Sequence, residues 1–196
     1  MEKINKIWKS IRFFRVIIFI ILISTGSKEG QVAEITLKGN KIHTTGNLPA
    51  INTKAPDFVL VKQDLSEVNL GAWPGKKKIL NIFPSIDTAV CAMSVKKFHQ
   101  EAMHHKDVVI INISKDLPFA QKRFCGAEGI ENAVTLSAFR SSFAKDYGVE
   151  ISDGALKGLC ARAVLVLDAN NQVLYKELVP EIAQEPNYAK ALETLK

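Results

Sequence analysis

Apolar residues in this chain form short continuous runs, separated by stretches with helical spacing. Continuous runs at residues 79–83, 108–114 and 163–168 predict buried strands. A turn over residues 169–171 leads from the third run into a further strand, 173–177. Because a continuous β-branched run must be covered on both faces, these runs suit the central strands of a sheet between helices.

The stretches between the runs predict helices and an N-terminal hairpin. Val95, Phe98 and Ala102 repeat at nearly 3.6 residues. Helices are predicted over residues 91–104, 118–125, 141–147 and 185–195. Alternation around Gly39-Asn40 predicts a β-hairpin, and residues 54–60 lead into another strand. Strands that alternate with helices indicate an α/β domain, which we place over residues 34–196.

Residues 1–33 form a leader of different character. A basic stretch precedes the apolar run Val16–Ile23, and small polar residues follow it, which is the order of a secretory signal. The run is shorter than the about 20 residues that a transmembrane helix needs. Alternatively, these residues lie upstream of the natural start, near Val32. In both cases we expect residues 1–33 to be absent from the mature protein, which would be exported in the first case and cytoplasmic in the second. We expect no stable membrane association of the mature domain.

Composition and charge indicate a globular domain that does not bind nucleic acid. The 196 residues are 47% hydrophobic and 23% charged, within the usual range for folded proteins. Six of the 26 basic residues but only two of the 20 acidic ones lie in residues 1–33, so most of the net charge of +6 belongs to the leader. A nucleic-acid footprint would cluster on the domain instead. The run Lys76-Lys77-Lys78 follows Pro74-Gly75 and is interpreted as a solvated turn.

The three cysteines, Cys91, Cys125 and Cys160, indicate thiol chemistry rather than a disulfide scaffold or a zinc site. Cys91 follows a predicted central strand, where a helix begins. Free N–H groups at a helix N-terminus stabilise a thiolate, so this position suits a reactive cysteine. A small buried hydrophobic role remains the alternative for any single cysteine.

Longer motifs carry a resemblance to a known family. Pro84, Thr88 and Cys91 form the pattern P-x-x-x-T-x-x-C, which is the active-site signature of peroxiredoxins. The stretches LNIFPSIDTAVCAMSVKKF, SKDLPFAQKRFCGAEG and DGALKGLCARAVLVLD are similar to the thiol peroxidase branch, the atypical two-cysteine peroxiredoxins. This similarity extends from about residue 35 to the C-terminus, and the leader is not part of it. It implies a thioredoxin-like fold, with a central mixed sheet flanked by helices.

The resemblance also implies roles for individual residues. Cys91 would be the peroxidatic cysteine and Cys125 the resolving cysteine, joined after oxidation in an intramolecular Cys91–Cys125 disulfide. Thr88 and Pro84 would shape the pocket, and Arg162 would stabilise the thiolate and polarise the peroxide. Cys160 matches no role in the family and is predicted to lie in the core.

The implied activity is a thiol-dependent peroxidase that reduces hydrogen peroxide and organic or lipid hydroperoxides. Thioredoxin would be the reductant, no metal or organic cofactor would be needed, and the protein would be a homodimer. Two alternatives use the same fold: a monothiol disulfide oxidoreductase based on the C-x-x-S of Cys91 and Ser94, and a non-catalytic redox sensor. Pro84, Thr88 and the absence of a C-x-x-C motif argue against the first, and the fold alone decides neither.

Overall fold

The continuous apolar runs form the centre of a mixed sheet. The computed structural model describes residues 32–102, 105–130 and 132–195, and nine strands lie in these ranges. They are β1 (Glu34–Leu37), β2 (Asn40–His43), β3 (Val59–Val61), β4 (Glu67–Asn69), β5 (Lys77–Ile82), β6 (Val108–Ser114), β7 (Val134–Ser137), β8 (Ala163–Leu167) and β9 (Val173–Leu178). Seven pair in the order β4-β3-β7-β6-β5-β8-β9. The β5–β6 and β6–β7 pairs are parallel and the others antiparallel, which confirms the predicted mixed sheet.

The predicted helices are present, with modest changes at their ends. They are α1 (Ala89–Ala102), α2 (Pro118–Ala127), α3 (Phe143–Asp146) and α4 (Tyr188–Glu193). The apolar run Val16–Ile23 and nearly all of the leader lie outside the described residues. Within the described ranges, no helix is long and apolar enough to cross a membrane.

Alternation along β5 divides the core into two layers. Ile79 packs on one face with Phe98 of α1 and Ala191 of α4. Leu80 and Ile82 point to the opposite face, in the larger cluster that also contains the hairpin and α3. Both faces of the central strands are therefore covered, as their unbroken hydrophobicity predicts.

The N-terminal hairpin is confirmed, and it anchors a segment needed at the functional site. Strands β1 and β2 pair through a two-residue turn in which Lys38 and Gly39 have positive φ angles of 52° and 80°. The Glu181 carboxylate accepts hydrogen bonds from both N–H groups of this turn, each at 3.0 Å. The Ile182 N–H donates to the Thr36 carbonyl at 2.9 Å, so the hairpin fixes residues 181–182.

Three details differ from the sequence-based predictions. The short strands β4 and β7 were not predicted, because three or four residues are too few to show the alternation of apolar and polar positions that identifies a strand. Strand β3 begins at Val59 rather than near residue 54, since Asp57 instead accepts hydrogen bonds from the N–H groups of Phe58 and Leu70.

The prediction of a solvated turn at Lys76-Lys77-Lys78 is wrong. Lys77 begins β5, and the Lys78 side chain is buried with only 1% of the residue exposed. Its ammonium donates to the Lys76 carbonyl at 2.9 Å. Burial lowers the pKa of Lys78, and the charge of Asp168 opposes this shift. Lysine side chains are solvated in most proteins, so three consecutive lysines gave no indication that a central strand begins here.

The burial of Lys78 leads to a pH-dependent prediction. Lys78→Met should raise the free energy of unfolding at pH 7, because it removes a charge whose desolvation disfavours the folded state. Between the lowered folded pKa and the unfolded value near 10.5, the unfolded state binds more protons, so this destabilisation fades as pH rises. Urea unfolding at pH 7 and at pH 10 measures the difference. A variant less stable than wild type at pH 7 would contradict this account.

Candidate active site

The loop after β5 carries the candidate nucleophile to the start of α1. Pro84 is buried directly beyond the end of β5, as predicted. Helix α1 begins at Ala89, and the Ala92 N–H closes its first turn on the Thr88 carbonyl at 2.9 Å. Cys91 therefore lies in the first turn, where helix N–H groups and the helix dipole favour an anion.

Two donors converge on the Cys91 sulfur. The Thr88 hydroxyl lies 2.7 Å from Sγ, and Nη2 of Arg162 lies 3.3 Å from it. The Ser85 carbonyl is a second possible acceptor for the hydroxyl proton of Thr88, but it is farther away, at 3.2 Å. Cys91 itself has no exposed surface. A sulfur that accepts from a hydroxyl and a guanidinium is stabilised in its thiolate form.

Arg162 is buried and does not form a surface ion pair. It precedes β8 directly and is 2% exposed. Its Nε donates to the Ile182 carbonyl at 2.9 Å, in the segment that the hairpin anchors. With Nε and Nη2 both occupied, the planar guanidinium has a fixed orientation. Among the described residues, the buried Nη1 has no hydrogen-bond partner, which leaves a donor for a bound molecule.

The charge of Arg162 has no direct carboxylate partner within the described ranges. The nearby Glu185 is paired with Lys97 at 2.6 Å, and this contact lowers the pKa of Glu185 with a smaller contribution from Arg162. A guanidinium that is buried without a counter-charge is costly. The Cys91 sulfur, 3.3 Å from Nη2, is the hydrogen-bond acceptor at which a negative charge would meet this cation.

Cys125 lies in a separate environment on α2. It is 1% exposed. Burial raises the pKa of Cys125, and smaller contributions from Thr135 and Gln63 oppose the shift. The preceding residue, Phe124, instead packs against the apolar cluster that includes Cys91. Neighbouring residues on a helix point about 100° apart, so Phe124 and Cys125 extend from α2 in different directions.

Cys160 lies in the core, as predicted. It has no exposed surface, belongs to the larger apolar cluster, and forms an isolated β-bridge with Glu150. Burial raises the pKa of Cys160 to about 12. All three cysteines are free thiols in this structure. Cys160 is therefore the least reactive of them on physical grounds.

A polar cluster that was not predicted from the sequence lies beneath the loop that carries Cys91. The Asp116 carboxylate accepts hydrogen bonds from the Ser85 hydroxyl and the Ile86 N–H, both at 2.7 Å. Ser85 and Asp116 follow β5 and β6, which are adjacent parallel strands. Polar residues that follow adjacent parallel strands meet at the same sheet edge, and this was the signal available in the sequence.

Comparisons with known proteins agree with this fold and site. The family model described as Redoxin matches residues 50–192. Thiol peroxidases of Mycobacterium bovis and Mycobacterium tuberculosis are 55% identical over 164 residues, which is 84% of this chain and 99% of theirs. A peroxiredoxin-like protein from Aquifex aeolicus superposes with a TM-score of 0.79 at 40% identity, covering 85% of this chain and 98% of that one. For a thiol peroxidase from Chromobacterium violaceum the TM-score is 0.77 at 22% identity, with 83% and 94% covered, which supports the fold alone.

A thioredoxin-like sheet that presents a cysteine at the start of a helix, beside a threonine and a buried arginine, defines the peroxiredoxin class. The fold predicted from the sequence is thereby confirmed. Within this class, the chain belongs to the Redoxin family and to its thiol peroxidases.

The geometry of Arg162 leads to a prediction for its removal. Arg162→Ala should slow the reaction of Cys91 with hydroperoxide by at least about tenfold, since a well-placed charge contributes more than about 1.4 kcal/mol. Arg162→Lys should restore the rate only in part, because an ammonium lacks the planar fork that spans Ile182 and Cys91. Stopped-flow oxidation of the reduced protein measures both rates. The exposed Arg123 provides the control, and an alanine variant of Arg162 that reacts as fast as Arg123→Ala would show that Arg162 is only structural.

Proposed function

We propose that Cys91 is the peroxidatic cysteine of this thiol-dependent peroxidase and that Cys125 resolves it. Membership of the thiol peroxidases gives the reaction class. The observation that carries the assignment is the convergence of Thr88 Oγ1 and Arg162 Nη2 on the Cys91 sulfur, at 2.7 and 3.3 Å. Neither of the other cysteines has a cationic hydrogen-bond donor at its sulfur among the described residues.

In the first step, the Cys91 thiolate attacks the terminal oxygen of a hydroperoxide. An S–O bond forms while the O–O bond breaks, so the sulfur is oxidised to a sulfenic acid and the peroxide is reduced. The leaving oxygen takes up a proton and departs as water or an alcohol. Nη2 of Arg162 contacts the sulfur, and Nη1 of the same guanidinium is free to donate. Nη1 would stabilise the negative charge that develops on the leaving oxygen as the O–O bond breaks.

In the second step, the Cys125 thiol attacks the sulfenic acid, and water leaves as the disulfide forms. Cys91 lies on α1 and Cys125 on α2, each buried in its own surroundings, and both are free thiols in this structure. Disulfide formation requires their Cα atoms to come within about 7 Å. Local opening of helix ends is a low-cost motion of this kind. Because burial raises the pKa of Cys125, exposure on opening would also increase its thiolate fraction.

A third step returns both cysteines to thiols. An external dithiol attacks the disulfide and is itself oxidised, leaving Cys91 and Cys125 reduced. We propose a thioredoxin as this dithiol, hydrogen peroxide and organic or lipid hydroperoxides as substrates, and a homodimer as the assembled form. The family supports a peroxide substrate, a thioredoxin-type reductant and oligomerisation in general terms, and the particular partners are part of the proposal.

The alternative of a monothiol C-x-x-S oxidoreductase is not favoured. Ser94, the last residue of this motif, is buried and donates its hydroxyl to the Cys91 carbonyl at 2.8 Å. The Asn81 amide donates to the same hydroxyl oxygen at 3.2 Å. Ser94 is therefore part of the hydrogen bonding within the core and does not line the approach to the sulfur. A non-catalytic sensor is likewise not favoured, because the relatives are peroxidases.

The first prediction from this assignment concerns the nucleophile. Cys91→Ser should abolish peroxide turnover while the protein stays folded, because serine has no accessible anion at neutral pH and is a poor nucleophile toward peroxide. Thioredoxin-coupled peroxide consumption measures the activity, and circular dichroism checks the fold. Cys160→Ser is the matched control and should turn over normally. Turnover retained by Cys91→Ser would remove Cys91 from the role of nucleophile.

The second prediction concerns the disulfide partner. Peroxide-treated protein should contain a Cys91–Cys125 link within one chain. Cys125→Ser should stop at the Cys91 sulfenic acid and overoxidise readily, since nothing resolves it. Peptide mapping by mass spectrometry distinguishes the outcomes. A Cys91–Cys160 link or an interchain link would overturn the assignment of Cys125.

A further inference from the structure

We propose that Asp116 is a positioning residue that holds the Cys91 loop and the Cys125 helix together, and so sets the balance between peroxide reduction and disulfide formation. The inference rests on the proposed function, in which these two cysteines react in sequence. It assigns a role to a carboxylate that touches neither sulfur.

Both oxygens of the Asp116 carboxylate are engaged beneath the Cys91 loop. Oδ1 accepts from the Ser85 hydroxyl at 2.7 Å. Oδ2 accepts from the Ile86 N–H and from the Ser114 hydroxyl, each at 2.7 Å. A carboxylate that accepts three hydrogen bonds gives a strong, directional anchor, since charge-assisted bonds exceed neutral ones in strength.

This anchor leads directly to the reactive sulfur. Asp116 holds Ser85 through the Ser85 hydroxyl. The Ser85 carbonyl in turn accepts a hydrogen bond from the Thr88 N–H at 3.2 Å and lies 3.2 Å from the Thr88 hydroxyl oxygen. Thr88 in turn donates to Cys91 Sγ. Asp116 therefore fixes the loop from which the hydroxyl contact to the thiolate arises.

The same residue lies at the entrance to the helix that carries Cys125. Asp116 is two residues before Pro118, where α2 begins, and its own carbonyl accepts a hydrogen bond from the Ser137 hydroxyl. The carboxylate reaches α2 through Ser114: the Ser114 hydroxyl that donates to Asp116 accepts from the Gln121 amide of α2 at 3.2 Å. The loop that holds Cys91 and the helix that holds Cys125 are therefore joined through one polar network centred on Asp116.

Two direct contacts also join the loop to α2, and they are weaker or less directional than the hydrogen bonds of Asp116. Arg123 and Asp87 form an ion pair at 3.2 Å, but their side chains are 69% and 59% exposed, and exposed pairs contribute little. Ile86 and Phe124 belong to the apolar cluster around Cys91. Asp116 is thus the directional anchor of the Cys91 loop in the arrangement seen here, which we call closed. Asp87 offers a carboxylate within that loop for comparison.

The closed arrangement has opposite effects on the two chemical steps. Peroxide reduction needs the loop in place, because the Thr88 and Arg162 donors must meet the sulfur. Disulfide formation needs the loop and helix to separate. Loss of Asp116 should therefore slow the first step and leave the second step unchanged or faster, a split that general destabilisation does not produce.

The test compares Asp116→Ala, Asp116→Asn and Asp87→Ala with wild type. Stopped-flow oxidation in the Cys125→Ser background gives the rate of sulfenic acid formation, and peroxide-triggered disulfide formation in the two-cysteine protein gives the resolution rate. We expect Asp116→Ala to lower the first rate at least about tenfold, which corresponds to about 1.4 kcal/mol, without lowering the second. It should also form less sulfinic acid per turnover, because resolution competes better with overoxidation.

Asp116→Asn is a more conservative variant that tests the same role if Asp116→Ala does not fold stably. An amide can still accept from the Ile86 N–H but lacks the charge, so Asp116→Asn should fall between Asp116→Ala and wild type. Asp87→Ala should change both rates by less than about twofold. Equal slowing of both steps, or an Asp116→Asn variant whose rates match those of Asp87→Ala, would overturn the inference. If the Cys125→Ser protein with Asp116 intact forms no Cys91 sulfenic acid at all, the proposed function itself fails, and this result differs from both outcomes that would overturn the inference.

Discussion

The contact between the Arg162 guanidinium and the Cys91 sulfur is the constraint around which the structure is organised. A buried cation needs a counter-charge, and the described residues provide none closer than the thiolate that Cys91 can form. Much of the fold serves to keep this cation in place. The hairpin fixes residues 181–182, the Ile182 carbonyl fixes the Arg162 Nε, and the rigid strand β8 begins directly after Arg162.

The proposed disulfide step requires the enclosed site to open. Cys91 is completely buried, with Thr88 exposed at the edge of its pocket. Cys125 is buried in different surroundings, and burial raises its pKa, which favours the protonated thiol while it stays enclosed. The contacts that join the two segments are few, and the helices on which the cysteines lie are short or begin at the site. A modest rearrangement at one sheet edge is thus compatible with an unchanged core.

Much of this arrangement was readable from the sequence, because it resides in local pattern. The runs at β5, β6 and β8 were long enough to identify central strands, and Pro84, Thr88 and Cys91 lie within one eight-residue motif. Arg162 and Cys125 depended on resemblance to a family, since no spacing relates them to Cys91. The buried Lys78 and the anchor Asp116 were missed for a common reason. Each is a charged residue whose importance comes from tertiary contacts, and charge alone predicts exposure.

A double-mutant cycle on Thr88 and Arg162 tests the central claim most directly. The rate of peroxide oxidation of reduced Cys91 would be measured by stopped flow at neutral pH in wild type, Thr88→Val, Arg162→Ala and the double variant. If both donors stabilise one thiolate, their effects are coupled, and the cycle should give an interaction energy of at least about 1 kcal/mol. Losses that add to within about 0.5 kcal/mol, or no loss in either single variant, would contradict the account.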